Sequence, residues 1–242
     1  FWLGEAPRVA STKSGRWITH AESGHAIWRD ASLTARVDAS PLGFGTLAAH
    51  GHLDAMHVSL WSEGQPLVID AGTGGYYGDA ALRAKLAAWE AHNGPVPVCG
   101  RNVPMRAGPF LWREHHDVPK MEIVDEVCVV RFACDGPFMK RSVQMAGRSA
   151  RITDEVCGRT AHVVTWQLAP EWEQVENLTW RHSNGSVVTL SLEGDCVQKH
   201  EVVSEDVSPR FGQVMKAPAV RVTFTGRLVS TSRSPLLKRP TA

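Results

Sequence analysis

Short runs in which apolar or β-branched residues alternate with polar ones recur along nearly the whole chain. They are Arg16 to Thr19, His25 to Arg29, Leu33 to Val37, Met56 to Trp61, Leu67 to Ile69, Val124 to Phe132, Val163 to Leu168, Val187 to Leu192 and Val220 to Phe224. Period-two alternation sends successive side chains to opposite faces of an extended strand, and the Gly, Pro, Asn and Asp clusters between the runs supply turns. The pattern predicts an all-β fold: a large antiparallel β-sandwich of two sheets. One segment differs. Asp79 can N-cap a helix whose Leu82, Leu86 and Trp89 fall at spacings of four and three, and Asn93-Gly94-Pro95 stops it, so a single inserted helix is expected to end at His92.

Gly, Pro and charged residues cluster between Pro104 and Pro119, a soft internal boundary that two stacked sheets can span as one unit. The domain is expected over residues 1–229, and the Ser-, Pro- and base-rich stretch 230–242 is expected to be a frayed tail. No internal repeat or low-complexity stretch is present.

Composition narrows the function classes. At 43% hydrophobic residues the 242-residue chain can build a normal core. Its formal charge is +1, with Lys and Arg scattered rather than gathered in a stripe, which argues against nucleic acid as a partner but not against an acidic sugar in a local pocket. Apolar runs are far shorter than the ~18 residues of a membrane span. The five cysteines, Cys99, Cys128, Cys134, Cys157 and Cys196, are widely spaced without a CxxC pair, which suggests neither a disulfide framework nor a thiolate metal site. The chain starts at Phe1 with no leader pattern, as expected of a piece of a longer protein whose targeting signal lies upstream or has been removed.

Candidate chemistry concentrates between His50 and His92, which hold four of the eleven histidines. In an extended strand His50 and His52 would share a face, a common start for a transition-metal site, although a lone HxH more often serves structure. Downstream, two strands flank Ser62-Glu63-Gly64. A three-residue loop would set Asp70 opposite Met56 and on the face of His52 and Asp54, whereas a two-residue Glu63-Gly64 loop would set His57 opposite Asp70. The three-residue loop is the working expectation, and under it His57 stays out of contact with any metal.

Several of these elements occur together in order: Pro41-Leu42-Gly43, His50-Gly51-His52-Leu53-Asp54-Ala55, Gly64-Gln65-Pro66-Leu67-Val68-Ile69-Asp70-Ala71-Gly72-Thr73, a nearby Tyr, Arg83 and Ala91-His92-Asn93. This series resembles the signature of heparinase II/III-like polysaccharide lyases. The clear match covers residues 41–98, and weaker patterning such as Arg151 to Val156 extends it. The resemblance implies a two-sheet β-sandwich that packs against an upstream helical toroid, with elimination in the cleft between them and with a periplasmic or secreted location. It implies zinc bound by His52, Asp70 and His92, with His50 facing substrate. Asp54 would then orient a histidine. Tyr76 and Tyr77 are candidates for an active-site tyrosine, though two adjacent rings leave the choice open and both could simply sit at a sheet edge. Arg83 could meet a substrate carboxylate or lie exposed on the helix.

Under that resemblance the substrate is an acidic, uronate-containing polysaccharide of the glycosaminoglycan or alginate kind. The principal acid and base would lie mostly in the toroid, so the chain alone is expected to be inactive. A noncatalytic carbohydrate-binding β-sandwich is the alternative. A cupin-like metalloenzyme is disfavoured because no Glu follows the HxH at the needed distance. His115-His116 matches no ligand spacing and is expected in a solvated loop, and Trp17, Trp28, Trp112, Trp166, Trp172 and Trp180 are expected in the core rather than as sugar platforms.

Overall fold

A computed structural model describes residues 15–99, 104–133, 138–194 and 196–234. In chain order the strands are β1 (Arg16–His20), β2 (His25–Arg29), β3 (Leu33–Asp38), β4 (Val58–Ser62) and β5 (Gln65–Val68), then helix α1 (Ala80–Leu86) and the short strands β6 (Val96–Pro97), β7 (Met105–Arg106) and β8 (Trp112–Arg113). The second half is almost wholly strand: β9 (Lys120–Val124), β10 (Val127–Phe132), β11 (Met139–Ala146), β12 (Ser149–Val156), β13 (His162–Gln167), β14 (Trp172–Glu176), β15 (Thr179–His182), β16 (Val187–Glu193), β17 (Val197–Arg210), β18 (Gln213–Phe224) and β19 (Arg227–Arg233).

Two layers result. One is the eight-stranded sheet β14-β15-β16-β19-β12-β11-β10-β9; the other joins the five-stranded sheet β1-β2-β3-β4-β5 to the four-stranded sheet β17-β18-β13-β6. The join is the antiparallel bridge Val68 to Leu168, with Ile69 N donating to Gln167 O at 2.9 Å and Ala169 N to Leu67 O at 3.0 Å. Between the layers Leu60, Leu67, Val164, Trp166, Trp180, Ile152 and Leu228 are buried. The six tryptophans named above are all buried, as their strand contexts predict. Cys128 lies in this core, where burial pushes its thiol up to about 12. Among the described residues no helix is long and apolar enough to cross a membrane.

Three expectations change. The run Val124 to Phe132 is not one strand: Asp125 and Glu126, both left-handed (φ 47° and 62°), turn β9 into β10. The helix is shorter than its apolar spacing suggests. Asp79 does cap it, its Oδ1 accepting from Leu82 N at 2.9 Å, but Ala88 is extended (φ −85°, ψ 163°) and Trp89–Ala91 form a separate 3-10 turn that carries Trp89 into the core. Residues 230–233 are not a tail; β19 runs to Arg233, with Ser230, Thr231 and Ser232 buried between β12 and β16. Residues 235–242 lie outside the described set, as do Cys134 and residues 1–14.

A buried polar knot ties the layers together beside the site. Arg141 on β11 pairs across the ladder with Asp154 on β12, its Nε at 2.7 Å and Nη2 at 2.9 Å from the two carboxylate oxygens, and both residues are fully buried. The same guanidinium reaches the opposite layer: Nη1 donates to Met56 O and Asn93 Oδ1, both at 2.8 Å, and Nη2 to Asn93 O at 2.6 Å. Asn93 in turn clamps β4, accepting from Val58 N at 2.8 Å and donating to Val58 O at 2.7 Å. Arg141→Met should strand a buried carboxylate and cost about 3–5 kcal/mol in urea denaturation, and Arg141→Met combined with Asp154→Leu should recover part of it. A single variant within about 1 kcal/mol of the parent would contradict the knot.

Candidate functional site

Three segments converge at one end of the five-stranded sheet: the loop 39–57 between β3 and β4, the strand end at Asp70 with the turn after it, and the stretch from α1 to Asn93. Loop 39–57 is held from several sides. Trp112 Nε1 donates to Gly51 O at 2.8 Å, His50 N to Phe110 O at 2.8 Å, Leu53 N to Ala87 O at 3.0 Å, and Met56 N to Asp38 O at 3.0 Å. Three non-glycine residues in this loop are left-handed: Ala48 (φ 45°), His50 (φ 58°) and Met56 (φ 67°). Such conformations persist only where surrounding contacts impose them, and they gather at sites where side chains are aimed.

The backbone here departs from the extended HxH strand expected from sequence. His50 sits in a turn, so period-two logic does not govern where it and His52 point. The hairpin after β4 closes on two residues, not three: Ser62 pairs with Gln65 and Trp61 with Pro66, and Glu63 and Gly64 adopt φ 51° and 79°, the left-handed pair of a type I′ turn. A bulge then shifts the register so that Leu60 pairs with Val68.

Met56 turns the chain just before β4. His57 N donates to Asp54 O at 2.9 Å across this turn, and the ring of His57 is driven inward to complete burial. There it meets His92 edge-on, ring centroids 5.7 Å apart. His92, also buried, donates from Nδ1 to Asp70 Oδ2 at 2.9 Å, while Asp70 Oδ1 accepts from Gly72 N at 2.7 Å. Gly72 (φ 77°) has no room for a side chain, since a Cβ would stand 2.1 Å from Ser208 O on β17. One ligating atom from each of His57, Asp70 and His92 lies within 4.8 Å of the others.

Of the three residues that sequence nominated as ligands, Asp70 and His92 are thus in contact. His52 stands beside them, its ring 5.5 Å from that of His92, with Nε2 near Arg83 Nη1 (3.1 Å) and Thr73 Oγ1 (3.3 Å). His57, left aside under the three-residue loop, is inside the group. The set suits a divalent metal on its own terms: Nε2 of both His57 and His92 is buried with no hydrogen-bond partner, and two or three imidazoles with one carboxylate form a borderline-soft N/O set.

Burial and mutual charge set the protonation of this group. Burial pushes His57 down to about 3 against the pull of Asp70, and burial with the neighbouring His92 charge lowers His52 to about 4. Burial would lower His92 as well, but the Asp70 charge and hydrogen bond outweigh it and raise the imidazole. Burial would raise Asp70, yet the His92 charge and hydrogen bond hold it below the usual carboxylate range. Asp54 goes the other way, raised to about 7 by burial and by Asp38 and Asp70, against the charge of His92. Neutral His52 and His57 beside an ionised Asp70 are in the state a cation needs, whereas His92, whose protonated form Asp70 favours, must give up a proton to bind one.

Next to this group stands a more open aromatic and cationic wall. His50 is exposed, and its ring lies 5.2 Å from Tyr76 and 5.1 Å from Phe110. Tyr76 also meets Phe211, at the tip of the β17–β18 hairpin, at 5.0 Å. Arg83 is buried rather than lying on an exposed helix face. It touches Thr73 Oγ1, and its guanidinium lies 5.6 Å from the Tyr76 ring and 5.4 Å from the Phe110 ring. Arg106 approaches Arg83 O and Ala84 O at 3.5 Å, near the last carbonyls of α1. Tyr77 points away, 93% exposed. A polar depression of about 360 Å³ opens beside the wall, lined in part by Glu22, Ser40, His50, His52 and Asp54.

Sequence reading missed Phe110, Arg106, Phe211 and Thr73, which fall outside any HxH or strand pattern; only Thr73 lay within a motif already marked. His115 and His116 were expected in a solvated loop, but His116 is buried between Trp89 (5.6 Å) and Phe132 (5.0 Å).

Residues 15–236 match the family described as heparinase II/III-like, C-terminal. The chain belongs to that family. No curated protein matches this member in sequence. Among solved structures, this heparinase II/III-like chain is similar to a heparinase III, with 14% identity and TM-score 0.69, covering 88% of this chain and 35% of that one. It is also similar to the heparan sulfate lyase HepC from Pedobacter heparinus, with 17% identity and TM-score 0.69, covering 98% and 38% respectively. At these identities the likeness is one of fold, and the chain spans little more than a third of either relative's length.

The pH response of the family member's site follows from the depressed His57. Folded, this imidazole stays neutral; unfolded, it takes up a proton as pH falls below about 6.5, so it contributes a loss of stability on the acid side. Asp54, raised to about 7, opposes this, so the difference between parent and His57→Ser is the informative quantity. In chelator, that difference should shift in favour of His57→Ser by on the order of 2 kcal/mol between about pH 6.5 and about pH 4.5 in urea denaturation. A constant difference would mean that His57 does not titrate with unfolding.

Proposed function

We propose that this chain is the β-sheet portion of a polysaccharide lyase that cleaves uronate-containing acidic polysaccharide by β-elimination, in company with an upstream helical toroid. The observation that carries the reading is the wall itself: His50 and Tyr76 in ring contact, backed by the Arg83 guanidinium, beside a polar depression large enough for part of a sugar chain.

In β-elimination a base removes the proton on the carbon next to the carboxylate. That C–H electron pair becomes the new carbon–carbon double bond, and the glycosidic C–O bond breaks as its oxygen takes up a proton. The substrate carboxylate resists this unless its developing charge is offset. His50, exposed at the wall, is suited to neutralise it, with Arg83 adding positive potential from behind. Tyr76 is the better candidate of the two tyrosines for a proton donor or acceptor near the scissile bond, because Tyr77 is turned to solvent.

In this reading zinc is held by His52, Asp70 and His92, and when bound it supplies a cross-link among three loops rather than a reacting group. The buried, unpartnered Nε2 of His92 and the neighbouring Asp70 carboxylate support it. His50 and Tyr76 supply only one wall. Elimination needs groups fixed on both sides of the sugar, and the toroid would provide the remaining acid and base.

Followed by unsaturated-uronate absorbance, the chain alone should therefore show no depolymerisation of heparan sulfate or alginate at an enzymatic rate, and the protein extended by its toroid should. In that longer protein His50→Ala should lower kcat by about 100-fold or more with little change in melting temperature. Robust product formation by the short chain, or an unaffected His50→Ala enzyme, would defeat this assignment.

A further inference from the structure

Resting on the zinc reading above, we infer that His57 is a fourth protein ligand, which closes the metal site of this chain with three imidazoles and one carboxylate. His57 immediately precedes β4, after the left-handed Met56; its Nε2 is buried without a hydrogen-bond partner, and its ring meets edge-on, at 5.7 Å, that of His92, whose Nδ1 contacts Asp70. Ligating atoms of His57, Asp70 and His92 already lie within 4.8 Å of one another. Donors around a tetrahedral zinc at about 2.0–2.1 Å stand closer still, so a contraction of the group is needed, not a rearrangement.

His52 supplies the remaining position. Arg83 has only donors, so its 3.1 Å contact with His52 Nε2 means that this nitrogen presents a lone pair. Exchanging the Arg83 contact for a cation requires the ring to swing while the backbone of loop 39–57 stays in place.

One contact opposes the proposal. Asn93 N approaches His57 Nδ1 at 3.4 Å, which favours the tautomer with its proton on Nε2, whereas coordination through Nε2 needs the proton on Nδ1. A bond that long is weak, far weaker than coordination to zinc, so the tautomer follows the metal.

The chemical consequence is specific. Three protein ligands leave zinc a water or substrate position, while four leave none. The metal of this protein then has no exchangeable site, and its role is confined to holding loop 39–57, the turn after β5 and His92 in register.

The test uses the chain as it stands, with zinc affinity measured by chelator competition, cobalt(II) absorption as the report of ligand number and type, and far-ultraviolet circular dichroism as a check of folding. The parent should bind one zinc, and its cobalt form should show intense tetrahedral bands that added azide does not alter. His57→Ser should lose more than about 100-fold in zinc affinity, beyond the roughly 10–100-fold of an orienting partner, and its cobalt spectrum should respond to azide. His57→Cys, which restores a donor, should show a near-ultraviolet thiolate-to-cobalt charge-transfer band. That positive signal stays available if the serine variant does not fold.

Zinc affinity of His57→Ser within about tenfold of the parent, or a cysteine variant without the thiolate band, overturns the inference while leaving the zinc reading intact. A parent that binds no zinc overturns the zinc reading, and this inference with it.

Discussion

The Arg141 guanidinium is the constraint on which the rest of the site depends. It is a charge with no solvent, neutralised by Asp154 within its own sheet, whose remaining donors are spent on three acceptors in the facing layer. Those acceptors are the carbonyl of Met56, immediately before His57, and two oxygens of Asn93, immediately after His92. The two imidazoles that face each other across the cluster are therefore each one residue from an atom anchored by a single side chain. A buried ion pair is weak evidence of net stability, but removing either half is costly, and that asymmetry suits a part whose task is to fix one geometry.

Rigidity in the knot and openness at the wall divide the labour. His57, His92 and Asn93 are buried and mutually restrained, whereas His50, Tyr76 and Phe211 stand at the surface on turns. Arg83 bridges the two regions, touching His52 and Thr73 on one side and the rings of Tyr76 and Phe110 on the other. One guanidinium thus links the buried group and the wall by direct contact.

Much of this was legible in the sequence where local chemistry decides. Alternation gave the all-β sandwich, Asp79 gave the helix cap, and the ordered motifs from Pro41 to Asn93 marked segments that the fold brings together at Asp70 and His92. What failed did so for identifiable reasons. The loop after β4 turned on whether Glu63 would accept a left-handed conformation usually left to Gly or Asn, and the bulge between Leu60 and Trp61 then shifted the register again, so that no hairpin count alone could place His57. The split of the helix came from tertiary demand, since Trp89 is pulled into the core. Arg141 was readable in principle: it interrupts the inward series Met139, Val143, Met145 directly across from Asp154, which interrupts Ile152 and Val156. A charge at matching inward positions of two neighbouring strands marks a buried pair. Phe110 and Phe211 were not readable, because their place depends on how distant hairpins dock.

The β17–β18 hairpin makes the last point concrete. Its tip brings Phe211 onto Tyr76, Gly212 N onto Gly74 O at 2.8 Å, and Ser208 N onto Ala71 O at 2.7 Å. These partners are separated by well over a hundred residues of chain, so they raise the contact order, and loop closure of that length must precede any gain from the contact. During synthesis the segment that carries Tyr76 emerges long before the hairpin that supports it. The wall is therefore among the last surfaces to acquire its shape, and a chain that has formed both sheets but not docked this hairpin tip would be folded and yet leave the Tyr76 ring without its Phe211 neighbour.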